Sequence, residues 1–360
     1  MARRPRPASC PASSASAISR TSSAPSNAYG NEPRTAARRG SLPLGGTARS
    51  AKGAPMTTLA VHHVTEYTYD DSVEWAHHAA CLAPRDTPWQ RVHGWQLRIA
   101  PLPDGWGVEG LELDAAELAR HLHRDPWGNR HLSFGHARVH EKLVVDSRFV
   151  AELLDRPAPD PARGPGWESV ARSLRYRAGR ALQEADEFAL ASTYATPDGT
   201  LAAYAHRAFP PGRTLTAGGL ALMQQIHADL RYLPQSTTVA TRAADALAQR
   251  SGVCQDFAHV FIAACRSLGL AARYVSGYLL TRPPQGQPKL VGADASHAWA
   301  ELWCPEQGWL ALDPTNALPA GPDHVTLAWG RDYADVAPLR GVLRGGGVAT
   351  LRVGVTVEPV

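Results

Sequence analysis

From Leu59 onward the chain alternates with a period of two: Leu59, Val61, His63, Thr65, Tyr67 and Tyr69 occupy every second position, and Trp95, Leu97 and Ile99 repeat the device. Alternation of β-branched and aromatic residues predicts strands with one buried face. Lys142 to Val145 predicts a further strand, and Asp125-Pro126-Trp127-Gly128-Asn129 a turn before it. A Pro-rich stretch from Arg156 to Pro165 ends this part, so residues 57–155 are expected to form a β-rich domain. Apolar spacings of three and four then dominate from Trp167 to about Leu268, broken around Phe209 to Arg213, and predict helices. Strand patterns return afterwards and finish with Leu351, Val353, Val355 and Val357. The expected organisation is α+β: linker and helices over 156–218, a core over 219–316, and a C-terminal segment, 317–360, that completes the sheet.

Residues 1–55 break every period. They are rich in Arg, Ser, Ala, Pro and Gly, a composition that buries too little apolar surface to offset the entropy of ordering, and disorder is expected there. Met56 is read as the natural start, with the preceding stretch an upstream extension of the reading frame. This segment also carries nine Lys/Arg against one acidic residue, Glu32; the remaining chain has 28 against 32, a net −4 hidden inside the overall +4. The folded part therefore offers no phosphate-binding surface, and no nucleic-acid partner is expected. No run approaches the ~18 apolar residues of a membrane span, and no apolar export signal opens the chain. The five cysteines are odd in number and irregularly spaced, which fits a reducing, cytoplasmic setting better than a disulfide framework. Fifteen histidines are scattered without HExxH or paired-Cys ligand spacing, so neither a metal nor a cofactor is expected.

The chemistry concentrates in three short segments. Ala243, Ala244, Leu247 and Ala248 mark a helix that Ser251-Gly252 can stop through a left-handed glycine. Cys254, Phe257, Ala258, Phe261, Ala264, Cys265 and Leu268 then fall at helical spacing, with Gly269 ending the run. Cys254 is thereby placed at a buried helix N-terminus, where unpaired amides and the dipole favour a thiolate and supply donors for an oxyanion. In Ser296 to Cys304, His297, Trp299, Glu301 and Trp303 share one strand face, and Ala298, Ala300, Leu302 and Cys304 the other. After a turn at Pro305 to Gly308, Trp309 to Thr315 reads as a second strand ending at Asp313. For Asp313 to share the face of His297, the hairpin needs an odd-numbered loop or a bulge. A helix-borne Cys, a strand-borne His and an Asp on the next strand form a constellation for nucleophilic acyl transfer, in which imidazole takes the thiol proton and the carboxylate fixes its tautomer.

The segments Gly252-Val-Cys254-Gln-Asp-Phe-Ala, Leu268-Gly-Leu-Ala-Ala-Arg273-Tyr-Val, His297-Ala-Trp299-Ala-Glu301 and Gly308-Trp-Leu-Ala-Leu-Asp313-Pro-Thr resemble the transglutaminase core in order and type. The flanks are similar to bacterial transglutaminase-like proteins: Tyr67 and Tyr69, Leu82-Ala-Pro84-Arg85, Gly128-Asn129, Tyr232-Leu-Pro234, and Gly330-Arg-Asp332-Tyr333. The resemblance implies a papain-like core carrying a Cys254-His297-Asp313 triad behind an N-terminal β domain. Residues 317–360 are too few for the extra β domains of the animal tissue enzymes, and without an EF-hand loop no calcium dependence is implied. Peptidase, amidase and protein-glutamine acyltransfer activity all remain open, because one thioester can be resolved by water or by an amine.

Tyr232 and Gln255 are further candidates, as oxyanion or supporting groups, with Trp299 as a shield and Glu301 as a supplement to Asp313. A tyrosine with a satisfied hydroxyl, a packed tryptophan and a solvated strand glutamate are the competing structural roles. Asp256 is read as a first-turn helix aspartate favoured by the dipole. The expected partner is a peptide or protein substrate. An arylamine N-acetyltransferase-like enzyme is disfavoured by Ser251-Gly252-Val253 before the cysteine, and a non-catalytic binding module by the presence of all three triad types.

Overall fold

The computed structural model describes residues 56–107, 115–281 and 296–360, and every structural statement below refers to these. The expected disorder of residues 1–55 and the loop following Thr281, to Gly292, fall outside them. The described residues make one compact unit. Within it, the strand Met56–Ala83 runs through the middle of a seven-stranded antiparallel sheet. Along one edge it pairs with His140–Leu154 and Arg130–His136 in succession, and along the other with Ala349–Pro359 and Leu339–Gly345. Gln90–Ala100 adds outside His140–Leu154. The alternation starting at Leu59 is realised directly: Leu59, Val61, His63 and Thr65 are all buried.

The second sheet has five antiparallel strands in the order Leu318–Pro319, Gly308–Asp313, Ser296–Cys304, Ala272–Leu279 and His324–Gly330. The C-terminal segment thus divides between the two sheets. His324–Gly330 finishes the core sheet, whereas the strands after it return to the N-terminal sheet. Sequence alternation reports that a strand has a buried face, not which sheet it joins.

One face of the core sheet is covered by the helix Cys254–Ser267, which also packs against Gly199–His206, Leu215–Asp229 and Ala243–Gln249. The middle of the expected apolar stripe, Phe257, Ala258, Phe261, Ala264 and Cys265, is buried, and so are Val260, Ile262 and Ala263 between its members. A helix surrounded by other helices and a sheet is enclosed on all sides, which explains why its apolar character extends beyond one face. Even Arg266 is buried; its guanidinium donates to the carbonyls of Phe188, Ala195, Ala272 and Arg331.

Two side-chain amides join the sheets. Gln90 exchanges a pair of hydrogen bonds with the backbone of Thr326, both 2.8 Å, and Asn129 does the same with Trp329 at 2.7 and 3.0 Å. Both occupy backbone groups along the edge strand His324–Gly330, which would otherwise be left open. Tyr278, Leu280, Val325 and Leu327 of the core sheet share a hydrophobic cluster with Leu59, Val61 and Phe149 of the N-terminal one. The two sheets consequently fix each other, and with them the position of His324.

Candidate active site

Cys254 is the first residue of its helix. By helix geometry the opening N–H groups have no intrahelical acceptor, so this position presents donors beside the thiol. The thiol is half-buried rather than fully buried as the sequence pattern suggested, and it is therefore reachable. The preceding helix, Ala243–Gln249, also ends differently from expectation. Arg250, with φ +52, takes the left-handed position instead of Gly252. Gly252 is required for a different reason: a Cβ there would stand 2.6 Å from the Asp256 side chain. Asp256 accepts from the Val253 N–H at 2.8 Å and from the Thr237 hydroxyl at 2.7 Å, a helix-capping use in agreement with the first-turn reading. Burial pushes its carboxyl above the usual range.

His297 and Asp313 come from the hairpin of Ser296–Cys304 and Gly308–Asp313. Cys304 faces Gly308 and Trp303 faces Trp309, leaving Pro305, Glu306 and Gln307 as the loop. This odd-numbered loop puts Asp313 on the face shared by His297, Trp299 and Glu301. His297 Nε2 lies 2.7 Å from Asp313 Oδ2. The Cys254 side chain acts on the imidazole in the same direction as Asp313. Burial opposes a charged ring, but the hydrogen bond to Asp313 and the influence of Cys254 outweigh it and push the His297 pKa up to about 10. Burial likewise opposes the Asp313 charge, and hydrogen bonds from His297 and His324 overcome it, holding the carboxyl well below the usual range. The raised His297 pKa and the depressed Asp313 pKa together favour an imidazolium–carboxylate pair at this site.

Two residues at this site escaped the sequence reading. His324 Nε2 is 3.2 Å from Asp313 Oδ2, and Asn316 Nδ2 donates to the same oxygen at 2.7 Å. The backbone N–H groups of Thr315 and Asn316 donate to Oδ1 at 2.9 and 3.2 Å. Asn316 lies three residues past Asp313 and was within reach of an Asx-turn argument. His324 was one histidine among fifteen, with no periodicity pointing it at Asp313. His297, Asp313 and His324 bring ligand-type atoms within 4.8 Å of one another, a spacing a metal ion could use. Their mutual hydrogen bonds already account for that spacing.

The supporting candidates separate. Tyr232 pairs its backbone with Gly252 and is half exposed; burial is the larger influence raising its hydroxyl pKa and the nearby Cys254 the smaller. Gln255 is buried and donates through Nε2 to the Val239 carbonyl at 3.1 Å, so its side chain holds a loop and is not available to an oxyanion. Trp299 is fully buried, tilted against His297 at 6.2 Å and edge-on to His324 at 5.3 Å; Gly277 makes room for it, since a Cβ there would meet its ring at 2.7 Å. Glu301 does not supplement Asp313. It is buried, bonded to Arg273 at 2.6 and 2.7 Å and to Arg156 at 3.2 Å. Clefts of about 970 and 420 Å³ elsewhere on the molecule contain none of the triad in their walls.

Comparison with known proteins bears on the family and the fold. Residues 203–314 match the Transglutaminase-like superfamily core, and residues 59–152 the bacterial transglutaminase-like N-terminal region. An uncharacterised protein of Mycobacterium tuberculosis is 37% identical over 310 residues, covering 84% of this chain and 90% of its own length. A protein-glutamine gamma-glutamyltransferase of Pseudomonas aeruginosa is 38% identical over 97 residues, 25% of this chain and 14% of that one. Among solved structures, a protein of Cytophaga hutchinsonii provisionally described as a cysteine protease superposes with a TM-score of 0.66 at 20% identity, over 85% of this chain and 92% of its own, a likeness of fold. The family carries cysteine-dependent chemistry at amide bonds in general. With both of its characteristic regions matched and a relative aligned along most of its length, the chain belongs to the transglutaminase-like superfamily, in the bacterial form with its own N-terminal region.

Proposed function

We propose that this protein is a cysteine-dependent enzyme that transfers or hydrolyses acyl groups at amide bonds of a peptide or protein substrate. Cys254 sulfur attacks the amide carbonyl and forms a C–S bond, while the first N–H groups of its helix face the developing oxyanion. The C–N bond breaks as His297 gives its proton to the leaving amine, and a thioester remains. Water or a second amine then attacks the thioester, His297 takes the incoming proton, and the thiolate departs to restore the pair. Asp313 keeps the ring oriented and stabilises its charged form. Tyr232, half exposed and in the electrostatic neighbourhood of Cys254, is the candidate side-chain donor to the oxyanion. The observation that carries the reading is the coupling of His297 to Asp313 at 2.7 Å and to the half-buried Cys254 at a helix N-terminus.

The deciding measurement is the rate of Cys254 alkylation by iodoacetamide against pH, in wild type and His297→Ala, with Cys254→Ala identifying the labelled site. Labelling that persists toward acidic pH and depends on His297 supports the ion-paired nucleophile. An inert Cys254, or one indifferent to His297, would favour a binding module on the same fold. Product analysis on glutamine-containing peptides, with and without an added amine, then separates hydrolysis from transfer. Hydrolysis of acetyl-coenzyme A would instead point to the arylamine acetyltransferase type.

A further inference from the structure

We propose that His324 is a positioning residue of this site: its Nε2–H pins Asp313 Oδ2, so that the same oxygen is presented to the His297 ring. The inference rests on the Cys254-His297-Asp313 reading above. It begins with the tautomer. The Gly321 N–H donates to His324 Nδ1 at 3.3 Å, so Nδ1 carries the lone pair and the proton sits on Nε2, the nitrogen 3.2 Å from Asp313 Oδ2. The ring has little freedom to leave. His324 is buried, stands edge-on to Trp299 with ring planes at 85°, and opens a strand paired on one side with Leu279 and held further along through Gln90. Burial lowers its pKa, with His297 and Arg156 acting in the same direction and Asp313 opposing, which keeps the ring neutral and the Gly321 hydrogen bond intact.

A carboxylate needs this help because its terminal torsion is soft. Oδ1 is held by two backbone amides, but Oδ2 receives only side chains: His297, His324 and Asn316. Asn316 is solvent-exposed, and His297 must shift its proton during turnover. His324 is therefore the one rigid, permanently oriented donor on the oxygen that faces the base. The signal is invisible to sequence spacing because His324 lies on the strand at the opposite edge of the sheet region from Asp313, with Ser296–Cys304 and Ala272–Leu279 between them in the strand order.

The test uses the full chain in three variants. His324→Phe keeps a ring against Trp299 and removes the donor; His324→Gln restores an N–H near the position of Nε2; His297→Ala reports on the triad itself. The pH profile of Cys254 alkylation is measured for each, alongside thermal unfolding. The expected result is that His324→Phe slows alkylation at pH 6 by about tenfold, the loss of one hydrogen bond to a charged group, with less effect at pH 9, and that His324→Gln recovers most of the rate. A profile for both His324 variants that overlays wild type, while His297→Ala changes it, overturns this inference alone. A His297→Ala profile identical to wild type overturns the underlying triad reading. If His324→Phe does not fold, His324→Leu, which also lacks a donor, takes its place: slowed alkylation at pH 6 that His324→Gln recovers supports the inference, and a wild-type profile in folded His324→Leu overturns it.

Discussion

One face of the core sheet carries two buried carboxylates with opposite uses. At one end Asp313 is met by the imidazoles of His297 and His324; a few residues along, Glu301 is met by the guanidinium groups of Arg273 and Arg156. Both carboxylates are almost without solvent exposure. Around Glu301 the partners are guanidinium groups, and Arg273 is further locked between the rings of Trp309 and Trp329 at 4.0 and 3.9 Å. Around Asp313 the partners are histidines, whose charge can change at modest cost, and one of them, His297, is under the electrostatic influence of the half-buried Cys254. The difference teaches that a buried acid becomes chemical machinery through its partners. Burial and position on the sheet are common to both ends.

Asp313→Asn strikes that contrast hardest. It keeps the shape and removes the charge that stabilises the imidazolium, and amide turnover is expected to fall by about 10²- to 10⁴-fold. Turnover within a few-fold of wild type would dissolve the distinction between the two ends. Glu301→Gln should do the reverse. Leaving the buried Arg273 and the partly buried Arg156 beside a neutral amide is expected to cost about 3–5 kcal/mol of stability in denaturant unfolding, with the folded protein retaining its turnover rate.

Stability against pH sharpens the comparison next. The folded pKa of His297 is raised from 6.5 to about 10, so its contribution is complete below pH 6.5 and is lost as pH rises through about 10. Unfolding free energy should decline across that window in wild type, and the part of the decline owed to this residue should vanish in His297→Gln. Asp313 acts at the other extreme: its contribution is present above the ordinary value of 3.8 and is lost as pH falls through its depressed folded pKa. The smallest effect is expected from Asn316→Ala. One exposed donor to Asp313 disappears, and turnover should drop by about fivefold, or about 1 kcal/mol.

Much of this was legible in particular residues. The alternation from Leu59 announced a long inward-facing strand, and the spacing from Cys254 to Leu268 announced a helix beginning at Cys254. Parity across Pro305 to Gln307 put Asp313 and His297 on one face, because a strand has only two faces and the loop length chooses between them. Local pattern misjudged Glu301, whose solvated role was replaced by a buried ion pair once Arg273 stood opposite it on the neighbouring strand. It also assigned the left-handed helix end to Gly252, when Arg250 adopts it and the glycine is needed for close approach to Asp256.

What the sequence determined by itself was whatever depends on near neighbours: periods, helix ends, hairpin parity, and the residue types able to make a thiol nucleophilic. The tertiary structure alone decided the rest. It sent the last strands back to the first sheet, gave Glu301 to the arginines, and brought His324 to Asp313 by docking the N-terminal sheet along the core's edge strand. Those outcomes depend on which distant surfaces bury one another, and a one-dimensional pattern records only that a surface is to be buried.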